Sequence, residues 1–323
     1  MNDRKHASFD AVLPSRLAAS QAGRRLHGPR LENQARELEA TGLYRILRRL
    51  QPRPDLGPDD RPTDGIRRTA IVLDTETTGL DPETDEIVEL AMIAVTYDDD
   101  GIRDVVERFE GLQEPTIPLS DEVRLITGLD SDRLAGQRID VAGAEAFAER
   151  ADLVIAHNAA FDLGFCRRLL PNLAKRRWAC SVRDIDWKSF GAESSKLSSV
   201  LARVGMFHDA HRAMADCDAL VEALAADRWS RSERKPFRQL LRQASEQKVQ
   251  IVAVGPTFDW RDQLKSRGYR WCPGSPGRTR GWTIVLARND AERELIWLNS
   301  TVYARDGAPI VTGLERMDRA DEA

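Results

Sequence analysis

The spacing of apolar residues predicts a β-sheet in the middle of the chain. Short apolar runs that are typical of strands lie at 69–74, 86–98, 102–112, 151–158 and 176–182. The first three runs are consecutive, so they predict an antiparallel meander. A helical period follows at 159–171, 195–205 and 211–229, and helical pieces are expected between 118 and 150. Strands first, then strands alternating with helices, predict a mixed α/β sheet with helices on its faces.

The segments on either side of this region have different patterns. Residues 1–66 are predicted to be an extension with an amphipathic helix at 31–50, interrupted at Gly42, and a Pro-rich linker after it. The main domain is predicted at 67–229 and a linker with a helix at 230–248. A small α+β module is predicted at 249–305 and a polar tail at 306–323.

Composition and charge restrict the class of protein. The chain has 323 residues, of which 41% are hydrophobic and 31% charged, which is ordinary for a globular protein. The net charge of -4 argues against non-specific coating of nucleic acid, although residues 228–288 are rich in Arg and Lys. The four cysteines show no metal-site or disulfide spacing. We find no apolar stretch of membrane-spanning length and no secretory signal, so we expect a cytoplasmic protein without a membrane partner.

Acidic residues gather in three separated clusters. Asp74 and Glu76 lie two apart at the end of a predicted strand and therefore point to the same face. Asp162 opens a helix, and His211 and Asp216 lie five apart near the start of another helix. Carboxylates that gather in a fold usually hold hard divalent cations.

The residues beside these clusters have alternative interpretations. Gly79 lets a ligand or another backbone come close, next to Thr77, Thr78 and Leu80. His157 is interpreted first as a hydrogen-bonded structural histidine, and Asn158 could bond a nucleotide or a neighbouring loop. In the third cluster, Asp218 and His208 are both predicted to be solvent-exposed.

The motifs DTETTGL, HNAAFD and a histidine five residues before an aspartate resemble the three motifs of the DEDDh group of DnaQ-like 3′→5′ exonucleases. The resemblance covers residues 68–228 and implies an RNase H-like fold with a five-stranded mixed sheet. It implies that Asp74, Glu76, Asp162 and Asp216 hold two Mg²⁺ or Mn²⁺ ions and that His211 is the general base. The residues expected to contact the substrate are Thr77, Thr78, Gly79, Leu80, His157 and Asn158.

The resemblance leaves three functions open. The first is a 3′→5′ exonuclease that acts on the 3′ end of single-stranded DNA and releases nucleoside 5′-monophosphates, with a DNA polymerase or a repair protein as partner. The second is an exoribonuclease of the RNase T or oligoribonuclease type, because one 2′-hydroxyl distinguishes the two substrates. The third is a non-catalytic adaptor that holds a nucleic-acid end.

The predicted C-terminal module has interleaved aromatic and basic residues. Tryptophans that stack on bases, with arginines on phosphates, are one way to bind single strands. Most of the tryptophans are expected to form the module's core. The residues predicted to contact nucleic acid are Arg267, Arg270, Arg278 and Arg280.

Overall fold

A computed structural model of the chain describes residues 21–55, 68–226, 235–246, 248–255, 257–274, 279–304 and 308–313. The described residues belong to two compact units, 1–48 and 49–323. Arg278, the first 20 residues and most of the predicted Pro-rich linker lie outside the described residues. Within the described part of the chain, no helix is long and apolar enough to cross a membrane. All four cysteines are free thiols.

A five-stranded mixed sheet forms the centre of the second unit. Its strands are β2 (Arg68–Thr77), β3 (Ile87–Asp98), β4 (Gly101–Leu112), β5 (Leu153–Ala156) and β6 (Trp178–Cys180). The order is β4-β3-β2-β5-β6, with β2, β3 and β4 antiparallel and β5 and β6 parallel to β2. The predicted meander and the predicted mixed sheet are both confirmed.

Helices cover both faces of this sheet. One face carries α7 (Leu197–Arg203), α8 (Ala213–Ala225) and α9 (Pro236–Ser245), and the other carries α4 (Val141–Ala148), α5 (Ala159–Leu169) and α6 (Pro171–Ala174). In β2, Ala70 and Val72 belong to the first core, whereas Ile71 and Leu73 belong to the second. A strand buried on both faces needs a continuous apolar run, which explains the sequence of β2.

Short elements complete this unit. Helices α2 (Asp121–Thr127) and α3 (Ser131–Leu134) follow β4, and their N-caps are the side chains of Ser120 and Asp130. A 3₁₀ turn lies at Trp187–Phe190, and strand β7 (Met206–Phe207) precedes α8. The backbone amide of Leu50 donates to the carbonyl of Phe207.

The helix predicted at 31–50 is confirmed only as far as Ala40, just before its predicted interruption at Gly42. In the first unit, α1 spans Gln21–Ala40, and the next residues are not helical up to the two-residue strand β1 (Arg48–Arg49). Gly42 has a φ of 73°, a left-handed conformation that ends a helix. The guanidinium of Arg48 contacts Glu32 at 3.1 Å and Glu39 at 2.8 Å, and thereby holds the segment after the turn against α1.

The C-terminal module has its own sheet and core. Its elements are β8 (Lys248–Ala253), a 3₁₀ turn (Phe258–Trp260), α10 (Arg261–Ser266), β9 (Arg270–Cys272), β10 (Gly281–Ala287), α11 (Arg288–Trp297), a π-helical turn (Leu298–Val302) and β11 (Ile310–Gly313). The sheet is antiparallel, in the order β11-β8-β10-β9. Ile251, Leu264 and Trp282 lie in a core cluster of their own. Strand β11 lies in the segment that was predicted to be a polar tail.

Candidate active site

Three of the four predicted metal-binding carboxylates lie together at the end of β2. Asp74 and Glu76 project from the face of β2 that α8 covers, and Asp216 projects from the first turn of α8. Each offers a carboxylate oxygen, and these oxygens all lie within 4.8 Å of one another. Helix α8 approaches closely because the small Cys217 faces the sheet, where its thiol contacts the carbonyl oxygens of Val72 and Ala91.

Asp162 reaches the same region from the opposite face of the sheet. It lies in α5 and is 2% exposed, and its Oδ1 accepts a hydrogen bond of 2.9 Å from the hydroxyl of Thr75. Thr75 stands between Asp74 and Glu76 and therefore points to the other side of the pleated strand. The charge of Asp162 acts on Asp74, so the two carboxylates are electrostatic neighbours.

Burial and mutual repulsion raise the pKa of these acids. Burial, followed by the charge of Asp162, raises the pKa of Asp74 well above its usual value. The pKa of Glu76 is raised to about 8 by burial and then by the charge of Asp216, and burial raises that of Asp162 to about 7. Without a counter-ion, the site therefore retains protons at neutral pH.

Asp216 is held by three donors. Its Oδ1 lies 2.8 Å from Nε2 of His208, and its Oδ2 accepts hydrogen bonds from the backbone amides of His211 at 2.8 Å and Arg212 at 3.2 Å. The prediction that His208 is exposed was wrong, because only 4% of its side chain is accessible. No sequence pattern indicated this contact, since His208 precedes Asp216 by eight residues in a loop.

Two site residues have a left-handed backbone. His211 has a φ of 66° and Asn158 a φ of 79°, and among the described residues they are the non-glycine residues with positive φ. Such conformations are uncommon outside glycine and often occur at functional sites. His211 is exposed just before α8, and Asn158 is the residue that precedes α5.

A buried ion pair anchors the loop of His211. Glu89 is fully buried in β3, where it lies opposite Glu76 in the sheet. Arg212 Nη2 donates to Glu89 at 2.7 Å and its Nε at 3.0 Å, and the amide of Ala213 donates to the same carboxylate at 3.3 Å. Neither Glu89 nor Arg212 stands out in the sequence as a site residue, because Glu89 lies within an apolar strand pattern.

The loop after β2 is shaped by Asp85. Its carboxylate accepts a hydrogen bond of 3.0 Å from the hydroxyl of Thr78, and a Cβ atom on Gly79 would lie 2.5 Å from it. A side chain at position 79 would therefore displace the carboxylate of Asp85 from its bond to Thr78. The hydroxyl of Thr77 donates to the carbonyl of Gly79 at 2.6 Å. This arrangement leaves Leu80 with 83% of its surface exposed, in the loop that follows the strand of Asp74 and Glu76.

Two other predicted polar residues have structural contacts. Nδ1 of His157 lies 2.7 Å from the hydroxyl of Ser181, and burial lowers the pKa of His157 to about 4, so the ring is neutral. Asp218 was predicted to be solvated, and this was wrong. It is 7% exposed and binds Arg108 at 2.8 Å. Asp218 therefore faces away from the site and helps to fix α8.

The donor set is suited to hard divalent cations. Asp74, Glu76 and Asp216 provide carboxylate oxygens only, which is the chemistry that Mg²⁺ and Mn²⁺ bind. The carboxylate of Asp162 is not in this group of three, and its Oδ1 is bonded to Thr75. A cation bound here would replace the protons that the raised pKa values of Glu76 and Asp162 retain.

Carboxylates on a central strand and on helices beside a mixed sheet are the arrangement expected of a metal-dependent nuclease. Comparison with known protein families gives the same class. The model of the exonuclease family, RNase_T, matches residues 71–224. This part of the chain, slightly less than half of it, therefore matches that exonuclease family, which agrees with the resemblance of its motifs to the DnaQ-like group. The predicted resemblance to exonucleases is confirmed at this level.

Relatives and solved structures are similar to parts of the chain. The PolC-type DNA polymerase III of Thermotoga petrophila is 34% identical over 123 residues, which are 37% of this chain and 8% of the relative. That of Bacillus subtilis is 36% identical over 99 residues, which are 30% of this chain and 6% of the relative. The chain thus spans less than a tenth of the length of these relatives.

Two solved structures also resemble it. Exonuclease X in complex with 5′ overhanging duplex DNA is 22% identical, with a TM-score of 0.41, and covers 54% of this chain and 99% of its own. The E. coli ExoI–ssDNA complex is 15% identical, with a TM-score of 0.46, and covers 79% of this chain and 66% of its own.

Proposed function

We propose that this chain is a metal-dependent 3′→5′ exonuclease that removes nucleotides from the 3′ end of single-stranded DNA as nucleoside 5′-monophosphates. The convergence of Asp74, Glu76 and Asp216 beside the loop of His211 carries this proposal. The exonuclease family of residues 71–224 supports the reaction class. The relatives named as DNA polymerases support DNA as the substrate.

Each residue of the site has a role in this proposal. Asp74, Glu76, Asp162 and Asp216 would hold two divalent cations. When bound, such ions supply Lewis-acid activation of water and stabilise charge on the leaving 3′ oxygen. His211 would accept the proton of the attacking water, since its exposed imidazole, beside the carboxylates, is a group that can act as a general base.

The loop after β2 and the start of α5 would hold the terminal nucleotide. Leu80 is large, apolar and 83% exposed, so it can press against a base. Thr77, Thr78 and Gly79 shape this loop. Asn158, the exposed residue just before α5, would contact the same nucleotide. His157 would support Asn158 through its bond to Ser181.

A direct assay tests the proposal. Strands labelled at the 5′ end, as DNA and as RNA of the same sequence, are incubated with Mg²⁺ and with EDTA. We expect stepwise shortening of the DNA from its 3′ end, no activity in EDTA, and a loss of about 10³-fold or more in Asp74→Asn. Glu83→Gln, which changes an exposed acid in the loop after β2, should keep full activity.

Each contrary result has a defined meaning. Equal activity in EDTA, or an active Asp74→Asn protein, would refute the metal site. Faster shortening of RNA than of DNA would favour the exoribonuclease alternative. Binding without cleavage would favour a non-catalytic adaptor. A polymerase or repair partner and a cytoplasmic location stay predictions.

A further inference from the structure

Trp271 is an exposed tryptophan on the edge of the module's sheet. It lies in β9, the last strand in the order β11-β8-β10-β9, and 47% of its surface is accessible. Its ring meets that of Trp282 edge to face, with centroids 5.5 Å apart. Trp282 is 8% exposed and belongs to the core, so it fixes the exposed ring from behind.

Cations surround this aromatic pair. Trp271 and Trp282 are directly opposite each other in β9 and β10, so both side chains project from the same face of the sheet. The guanidinium carbon of Arg280 lies 5.6 Å from the centre of the Trp271 ring, and Nζ of Lys265 lies 5.8 Å from that of Trp282. Arg270 is exposed and projects from the other face of the same edge strand.

These three basic residues differ from several arginines of the module because, among the described residues, they have no acidic partner. Arg261 pairs with Asp262, and Arg293 pairs with Asp290. Arg267 pairs with Glu294 at 2.6 Å and stacks on Trp297 at 4.0 Å, which gives it a structural role. Lys265, Arg270 and Arg280 make no salt bridge to a carboxylate of the described residues. Their charge is therefore available to an anion.

We propose that Lys265, Trp271 and Arg280, here named the Trp271 platform, bind single-stranded DNA. A base would stack on the open face of Trp271, and the cations would contact the phosphates on either side of it. Duplex DNA fits less well, because its bases are stacked on each other and cannot reach the ring. This proposal deepens the proposed function, since it gives the module the task of holding the strand that the exonuclease domain shortens.

Binding is measured with the whole chain in EDTA, which prevents hydrolysis. The probe is a fluorescein-labelled oligothymidylate of about 20 nucleotides, longer than most single binding sites. Trp271→Ala should raise the Kd by about 5- to 100-fold in fluorescence anisotropy, whereas Trp271→Phe should retain most of the affinity. Arg280→Ala should also lower the slope of log affinity against log salt by about 0.7, the value for one phosphate contact on a single strand.

Arg293→Ala is the matched control. It removes the same charge from the same module, at an arginine that is paired with Asp290 and 80% exposed. We expect its Kd to stay within about twofold of the wild type. An unchanged Kd for Trp271→Ala, or equal weakening by Arg293→Ala and Arg280→Ala, would overturn the platform. Because Arg280 is a surface residue, its variant keeps the test decisive even if Trp271→Ala fails to fold.

A short substrate separates this proposal from the proposed function. The p-nitrophenyl ester of thymidine 5′-monophosphate occupies only the acidic site, so wild type and Trp271→Ala should hydrolyse it equally with Mn²⁺. If the wild type binds the oligonucleotide through the platform but does not hydrolyse the ester, the proposed function alone fails. If it hydrolyses the ester while Trp271→Ala binds DNA normally, the platform alone fails.

Discussion

Three hydrogen bonds hold the carboxylate of Asp216. His208 binds one oxygen of its carboxylate, and two backbone amides at the start of α8 bind the other. Each donor restricts the rotation of the carboxylate, so its oxygens stay within 4.8 Å of those of Asp74 and Glu76. His208 is thus a positioning residue for a proposed metal ligand. Hydrogen-bond partners of this kind commonly orient the side chains that bind a metal.

We predict that His208→Ala weakens Mn²⁺ binding by about 10- to 100-fold, because an unsupported Asp216 can rotate away from the cluster. Isothermal titration calorimetry would measure the affinity. His208→Gln, which keeps a side-chain amide donor, should restore most of it. Equal affinities for the alanine variant and the wild type would contradict the positioning role.

The site residues could be identified from the sequence where they belong to a motif. Asp74, Glu76, Asp162, His211 and Asp216 were all singled out from the sequence, and the structure brings three of these acids together. His208 and Asp218 were misjudged because burial is a property of the packed fold. The sequence of the loop before α8 did not indicate that His208 would be buried, and the position of Asp218 along α8 did not indicate its contact with Arg108.

At the scale of elements, a buried ion pair joins β3 to the start of α8. Arg212 makes a two-pronged contact with Glu89, a residue that has no accessible surface. Because Arg212 follows His211 directly, this contact also fixes the position of the His211 backbone. The loop after β2 is fixed in a similar way, since the guanidinium of Arg168 in α5 donates to the carbonyls of Pro82 and Asp85.

We predict that Arg212→Ala lowers the free energy of unfolding by about 3–5 kcal/mol, because it leaves the charge of Glu89 buried and unpaired. Urea denaturation would measure this. The double variant Glu89→Gln/Arg212→Ala should recover part of the loss, as a double-mutant cycle requires for a direct pair. The matched control is Arg103→Ala, which breaks a solvent-exposed pair with Asp98 and should cost about 1 kcal/mol or less. A loss no larger than that control would contradict the anchor.

Elements with a strong period were predicted correctly, and those set by contacts were not. Strands β2, β3 and β4 follow from their apolar runs, as do α5 and α8. The first helix was predicted to resume beyond Gly42 because its apolar spacing continues there, but the left-handed glycine ends it. Strand β11 was missed because a short edge strand in a polar segment forms only by pairing with β8.

At the scale of the whole molecule, the acidic site opposes folding. Glu76 and Asp162 have pKa values of about 8 and about 7 in the folded protein, against ordinary values of 4.5 and 3.8. The folded state therefore binds more protons than the unfolded state between about pH 4 and pH 8. Its free energy of unfolding must fall as the pH rises through this window.

We predict that the melting temperature of the metal-free protein falls by about 5 °C or more between pH 6 and pH 9, as measured by differential scanning calorimetry. Mn²⁺ should raise the melting temperature, and more at pH 8 than at pH 6, because the cation competes with protons for the same oxygens. Glu76→Gln should show a smaller decline, since it lacks one of the titrating groups. A melting temperature that rises over this range would contradict the raised pKa values.

The sequence by itself determined the strand order of the meander, the helices that follow it and the identity of the chemical residues. Local periodicity and short motifs carry that information, because each depends on neighbours a few residues away. Only the tertiary structure decided which atoms surround those residues. The burial of His208, the pairing of Arg212 with Glu89 and the exposure of Trp271 each depend on segments far apart in the chain. Contacts of that kind exist only once the sheet and its helices have packed.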